Sequence, residues 1–288
     1  MPNQTLPALL TLLSLVALSP VAMAADEPGI YVRQAVGTGG WPTGLMSETR
    51  VQYRAPLKRV DDSLMLNDTY VGAGAMVRVT PAFSEFGPRV SFAPVDIFDV
   101  DLQASRLQYY SGRYGLMPFD AISGKTGAER GERADNGDGV SSGGWSFTVS
   151  PTAKIKVGPV IAFSSWNIAH VMLDTPEGVT AAYTYEPLRD MVVSWNDTTF
   201  DHEAGALYAV VDPEDDGGLF YMGVLARDRF QTVSPDRHTS VGPILVMRPS
   251  TAPAVPKMVL RSMFYVTESD RVGGAPNTQL AAIWEVGG

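Results

Sequence analysis

The chain of 288 residues carries a net charge of -9, no cysteine, 28 glycines and 21 prolines. These figures exclude a disulfide scaffold, a basic nucleic-acid binder and a helical membrane protein, and they fit a β-rich chain with many turns. Length by itself leaves one large domain or two smaller ones open.

Leu6 to Leu18 is an apolar run too short to span a bilayer, followed by Ser19-Pro20 and by Ala22-Met23-Ala24, an A-x-A cleavage signal. Residues 1–24 read as a secretory signal peptide cleaved after Ala24. Beyond it no run of ~18 apolar residues remains, so a membrane-embedded mature chain must cross as a β-barrel. Residues 25–46 carry little pattern, and Gly37 to Gly44, GTGGWPTG, reads as a turn or lumen-crossing piece of an N-terminal periplasmic or lumen segment.

From residue 47 onward the alternation of strands begins. Val51, Tyr53 and Ala55 oppose Gln52 and Arg54, and Tyr70 to Val79 follows with Gly72 and Gly74 two apart on one face. Between 80 and 110, Pro81, Pro88 and Pro94 interrupt the pattern and leave two or three strands open. Phe98, Val100, Leu102 and Ala104 there oppose Asp99, Asp101, Gln103 and Ser105. Residues 112–144 read as a long external loop whose charge and glycine argue against a core.

The clearest stretch is Trp145 to Val157. Trp145, Phe147, Val149, Pro151, Ala153, Ile155 and Val157 alternate unbroken with Ser146, Thr148, Ser150, Thr152, Lys154 and Lys156. A strict period of two means an extended strand with one apolar and one wet face, and its length suits a tilted bilayer crossing of ~9–11 residues. Further strands are expected at Val160–Val171, Val179–Tyr185, Asp190–Trp195, Ala206–Val211, Leu219–Arg227, Thr239–Met247, Met258–Thr267 and Gln279–Val286. Connections after Val171, Asn196, Arg229 and Glu268 are long and polar, whereas those at 157–159, 186–189 and 212–217 are tight.

The expected fold is all-β, a transmembrane antiparallel β-barrel of about twelve strands, with ten to fourteen allowed, over residues 47–288. Trp145, Trp166 and Trp195 fall near the external strand ends as interfacial aromatics. The competing fold is a secreted soluble β-sandwich or propeller, a binding protein in function.

The leader, the alternating strands and the loop asymmetry resemble the outer-membrane β-barrel proteins of double-membraned bacteria. The resemblance implies an outer-membrane location, contact with membrane lipid and lipopolysaccharide, and insertion by a barrel-assembly machinery. Members of that class often end in an aromatic residue, whereas this chain ends in Gly287-Gly288, after an outer face of Leu280, Ala282, Trp284 and Val286.

His238-Thr-Ser240 resembles part of the His-x-Ser-Asn motif of outer-membrane phospholipases and lipid A deacylases, in which His activates Ser for acyl transfer. Val241 stands in place of Asn, and strand parity groups His238 and Ser240 with Arg248 on the lumen side. A polar strand end is therefore preferred, no enzyme is expected, and a lipid hydrolase is the alternative. His170 and His202 lack metal-ligand spacing, and His202 reads as a solvated loop residue. Asp212-x-Glu214-x-Asp216-Gly217 begins like a calcium loop but has Gly223 where the bidentate acid belongs, so it reads as an acidic turn. No metal, cofactor or nucleic-acid motif is present. Lys154, Lys156, Arg227, Arg248 and Arg261 share the inward parity with Asp99, Asp101 and Asp190. They either form a salt-bridged filling or line a narrow passage for small solutes.

Overall fold

A computed structural model of the chain describes residues 28–39, 44–57, 69–121, 126–211, 218–234, 236–250, 252, 255–267 and 277–287. The expected signal peptide and the acidic turn at 212–217 lie outside these residues. In chain order the elements are β1 (Gly29–Gly39), β2 (Leu45–Pro56), β3 (Tyr70–Val79), β4 (Phe83–Val95), β5 (Phe98–Tyr109), β6 (Met117–Phe119), α1 (Thr126–Asn136), β7 (Ser142–Val157) and β8 (Val160–Leu173). They continue with β9 (Tyr183–Glu186), β10 (Met191–Ser194), β11 (Asn196–Val211), β12 (Leu219–Gln231), β13 (His238–Arg248), β14 (Lys257–Tyr265) and β15 (Asn277–Val286).

Twelve of these strands close into one antiparallel barrel, in the order β1, β15, β14, β13, β12, β11, β8, β7, β5, β4, β3, β2. Closure leaves no unpaired sheet edge, the one condition under which strands can cross hydrocarbon. The alternation of β7 becomes the wall itself: Trp145, Phe147, Val149, Ile155 and Val157 are exposed outward, while Ser146 between them is fully buried. The same outward apolar band continues through Phe86, Val90 and Phe92 of β4, Met222 and Val224 of β12, and Leu260 and Phe264 of β14.

Prolines sit in the wall where a ladder gives way. Gly87-Pro88 falls in a two-residue gap of the β4–β5 ladder, Ser150-Pro151 in one of β7–β8, and Gly242-Pro243 in one of β13–β14. Proline has no N–H to donate, so each is accommodated by losing pairing on one side while keeping it on the other. The two glycines have a separate reason: a Cβ on Gly87 would stand 1.9 Å from the Ala104 carbonyl oxygen, and one on Gly242 1.8 Å from that of Ser262.

Several expectations are corrected. The segment expected as periplasmic or lumenal between 25 and 46 contains wall strand β1, which pairs with β15 from Val32–Val286 to Gly39–Gln279 and so closes the ring. Its glycines hide the alternation. Residues 80–110 hold two strands, β4 and β5. The polar stretch after Asn196 is no loop but the long wall strand β11, whose Asp201 and Glu203 face inward and are paired. Val179–Tyr185 and Asp190–Trp195 do not enter the wall. Their ordered parts, β9 and β10, join β6 in a separate three-stranded sheet. The physical reason shows in burial: β9 and β10 are buried on both faces, which a lipid-facing wall strand never is.

The long insertion also differs from expectation. Residues 112–144 include β6, α1 and the start of β7, and Leu116, Met117, Phe119 and Ala134 are all buried. Leu116 joins Phe83, Leu107, Tyr109, Val171, Leu173, Met191 and Val193 in one core, and Met117, Phe119, Tyr185 and Val192 form a second beside it. Two insertions from neighbouring connections thus fold together as a stopper at one end of the barrel.

Candidate functional site

The stopper reaches into the bore through the turn from Glu186 to Asp190, expected from sequence as a tight connection between wall strands. Glu186 is fully buried and accepts a hydrogen bond from the Tyr109 hydroxyl of β5. Its carboxylate also accepts from the backbone N–H of Leu188 at 2.9 Å and of Arg189 at 3.0 Å, and pairs with the Arg189 side chain at 3.1 Å. Arg189 donates in turn to Ser146 of β7 at 2.8 Å. Burial alone would lower the Arg189 pKa, but the neighbouring Glu186 carboxylate holds it above its ordinary value.

Asp190, expected on a wall strand, sits instead at the end of this turn with φ 54, in the left-handed region. Its carboxylate accepts from Tyr265 of β14 at 2.8 Å and from Tyr185 at 2.7 Å, and pairs with Arg130 of α1 at 2.9 Å and with Arg229 of β12 at 3.8 Å. Beyond the turn, Val192 is tied to Gln231 and Asp236, its carbonyl accepting at 2.7 Å and its N–H donating at 2.7 Å. Four wall strands therefore hold the turn.

The rest of the interior is ionic with an apolar patch. Along β1 to β5 it is ionic: Glu48 pairs with Arg33 at 2.8 Å, Arg50 at 2.6 Å and Arg78 at 2.5 Å, Arg78 reaches Glu85 at 2.8 Å, and Arg89 pairs with Asp101. Along β8 to β14 ion pairs of Asp201 and Glu203 with Arg227, Arg229 and Arg261 adjoin an apolar patch, in which Leu225, Ile244 and Met263 pack against Phe163, Leu207, Val246 and Val259. Sequence reasoning missed this inward apolar patch, because a single apolar residue on a wet face reads as noise.

The expected lumen residues are placed as follows. Arg227 pairs with Asp201 on neighbouring β11, and Arg261 reaches Glu203 at 2.8 Å past two intervening strands. Arg248 donates to the carbonyls of Val255 and Ala252, both at 3.3 Å, at the end away from the stopper. Asp99 lies opposite Thr152 of β7 at that same end, with Lys154 and Lys156 next along the inward face of β7. Beside the turn a cavity of about 180 Å³ is lined by Leu188, Asp190, Arg227, Arg229, Arg261 and Gln279.

The aromatic and histidine positions divide. Trp145 is exposed on the outer face near the stoppered end of β7, whereas Trp166, also outward, sits at the middle of β8 and not near its external end as expected. Trp195, expected in the interfacial girdle, instead packs against the stopper core and donates from Nε1 to the Ala181 carbonyl at 2.8 Å. His238 and Ser240 are buried in the lumen, with His238 edge-on to Tyr265. His202, expected in a solvated loop, is a wall residue of β11. His170 is on β8, 3.1 Å from the Thr198 hydroxyl. Among the described residues no group of three or more His, Cys, Asp or Glu could hold a metal ion.

No family model and no curated protein matches the chain. Among solved structures it is similar to the beta domain of the Bordetella autotransporter BrkA, at 10% identity and TM-score 0.47, covering 91% of this chain and 99% of that one. It is similar also to Acinetobacter baumannii OccAB1 (8%, TM-score 0.38, 94% and 98% covered) and to outer-membrane expressed OmpT of Vibrio cholerae (9%, TM-score 0.36, 92% and 99% covered). These scores are too low to carry a functional argument. On its own geometry, a closed, even-stranded, antiparallel ring with an apolar exterior, the chain has the fold class of the outer-membrane β-barrels.

Proposed function

We propose that the chain is an integral outer-membrane barrel whose external mouth is stoppered by its own inserted sheet, leaving at most a narrow basic passage for small solutes. The observation that carries this reading is the Glu186–Asp190 turn, bound inside the bore to β5, β7, β12 and β14. The outward apolar band supports the membrane location, since monomeric soluble proteins rarely expose so large a contiguous apolar surface. Lipid and lipopolysaccharide would contact that band, and a barrel-assembly machinery would insert it.

In this reading Lys154, Lys156, Arg227, Arg248, Arg261, Asp99 and Asp101 line the space left open, with Asp190 at the stopper tip. A ring of ~8 strands leaves only a filled interior and one of ~16–18 a wide channel, so twelve strands plus an inserted sheet leave little bore. The test is twofold. Carbonate or urea washing of membranes should leave the protein in the pellet, and purified protein in planar bilayers should show small steps or none. Release by washing would overturn the membrane location, and wide, porin-sized steps would overturn the stopper.

A further inference from the structure

We propose that the outer face of the barrel carries a site that hydrolyses the acyl esters of membrane lipids, built from Ser164, His202 and Asp228. These residues lie on β8, β11 and β12, three consecutive wall strands. The Ser164 Oγ and His202 Nε2 are hydrogen-bonded at 2.9 Å, and the imidazole stacks on Trp166 with ring centroids 4.2 Å apart and planes 14° from parallel. Asp228 is the direct cross-strand partner of His202. Its carboxylate is held by Arg237 and by the Thr239 hydroxyl, each at 2.8 Å.

The face is set by register. His202 shares parity with exposed Tyr208, and Asp228 with exposed Met222 and Val224, whereas Asp201 and Arg227 beside them point into the lumen. Among the described wall strands the outward ionisable residues are Arg106, His170, His202 and Asp228, so two of the four meet here. Ionisable groups on a lipid-facing surface are costly, and their concentration at one place marks a site rather than a tolerated accident.

The three residues descend the wall obliquely from the stoppered end. Ser164 lies nine residues from the stoppered end of β8 and four from its other end, whereas Asp228 lies three residues from the stoppered end of β12, roughly 10 Å along a strand rising ~3.4 Å per residue. Just beyond it Phe200 and Phe230 stack at 4.8 Å, as aromatics do at a membrane interface.

The chemistry balances with the groups present. Ser164 Oγ bonds to the acyl carbonyl carbon while His202 Nε2 takes its proton. The tetrahedral intermediate then breaks its bond to the lipid alcohol oxygen, which receives that proton. Water attacks the acyl-Ser164 ester by the same route and releases the fatty acid, restoring the serine. Asp228 is a positioning residue, its negative charge facing the imidazolium that forms.

This site rests on the membrane reading only for access to lipid. The full mature chain, folded in detergent, should release fatty acid from a diacyl phosphatidylethanolamine in mixed micelles. Ser164→Ala and His202→Gln should lower that rate on the order of 10²–10⁴-fold while keeping the heat-dependent gel mobility of the folded barrel. Asp228→Asn should lower kcat about tenfold with KM unchanged, and Ser240→Ala should change neither. No release above that of protein-free micelles, or activity surviving Ser164→Ala, overturns the proposal. Cleavage of the soluble ester p-nitrophenyl butyrate without cleavage of micellar lipid overturns the substrate assigned. Carbonate extraction tests the membrane reading separately, because it does not depend on catalysis.

Discussion

Tyr109 and Tyr265 stand six places apart in a ring of twelve strands, diametrically opposite, and their hydroxyls hold the two ends of one short turn. Tyr109 donates to Glu186 and Tyr265 to Asp190, so the turn spans the whole bore. A stopper attached to one wall could swing aside, but one attached to both must break charge-assisted hydrogen bonds first.

Replacing Glu186 by Ala should therefore both destabilise and open the barrel. It strips the partner from Arg189, a charge buried beside it, and breaking such a pair costs about 3–5 kcal/mol. Denaturant midpoints should fall, and bilayer recordings should show larger or more frequent steps than wild type. Unchanged conductance would mean that the turn does not obstruct the path.

The outward band makes a second prediction. Val224 is 60% exposed near the middle of β12, so on a soluble protein Val224→Arg would be nearly neutral. Facing lipid, it should cost about 2–4 kcal/mol. Folding titrations of the variant into lipid vesicles decide between the two.

A third prediction separates glycines that look alike in sequence. Gly242→Ala should destabilise strongly, because the new Cβ meets the Ser262 carbonyl oxygen at 1.8 Å. At Gly131 of α1 a Cβ would meet nothing within 4 Å, so Gly131→Ala should stabilise by about 0.5–1 kcal/mol through helix propensity. Thermal loss of the folded gel band compares the two.

Charge at the unstoppered end gives a fourth. If ions pass, replacing Lys154 and Lys156 together by Glu should shift selectivity toward cations, read as a change in reversal potential under a salt gradient. A conducting pore with unchanged reversal potential would show that these two lysines do not line it.

Alternation in Trp145–Val157 already determined that this segment is a two-faced wall strand, because a period of two is a property of the local backbone. The same argument placed Arg227 and Arg261 on the wet face and His238 and Ser240 away from lipid, while the expected number of about twelve strands agrees with the ring only after β1 is added and Val179–Tyr185 and Asp190–Trp195 are removed. Whether a short apolar run enters the wall was decided only by tertiary structure. Residues 183–186 and 191–194 look like wall strands, yet both their faces are covered by the stopper core. Residues 196–205 look like a loop, yet Asp201 and Glu203 are satisfied by arginines on β12 and β14. Ser164 and His202 are 38 residues apart and meet because β8 pairs with β11 once the inserted sheet has folded away between them. Period and parity are local, but register between strands distant in the chain is set by which neighbour closes the ring.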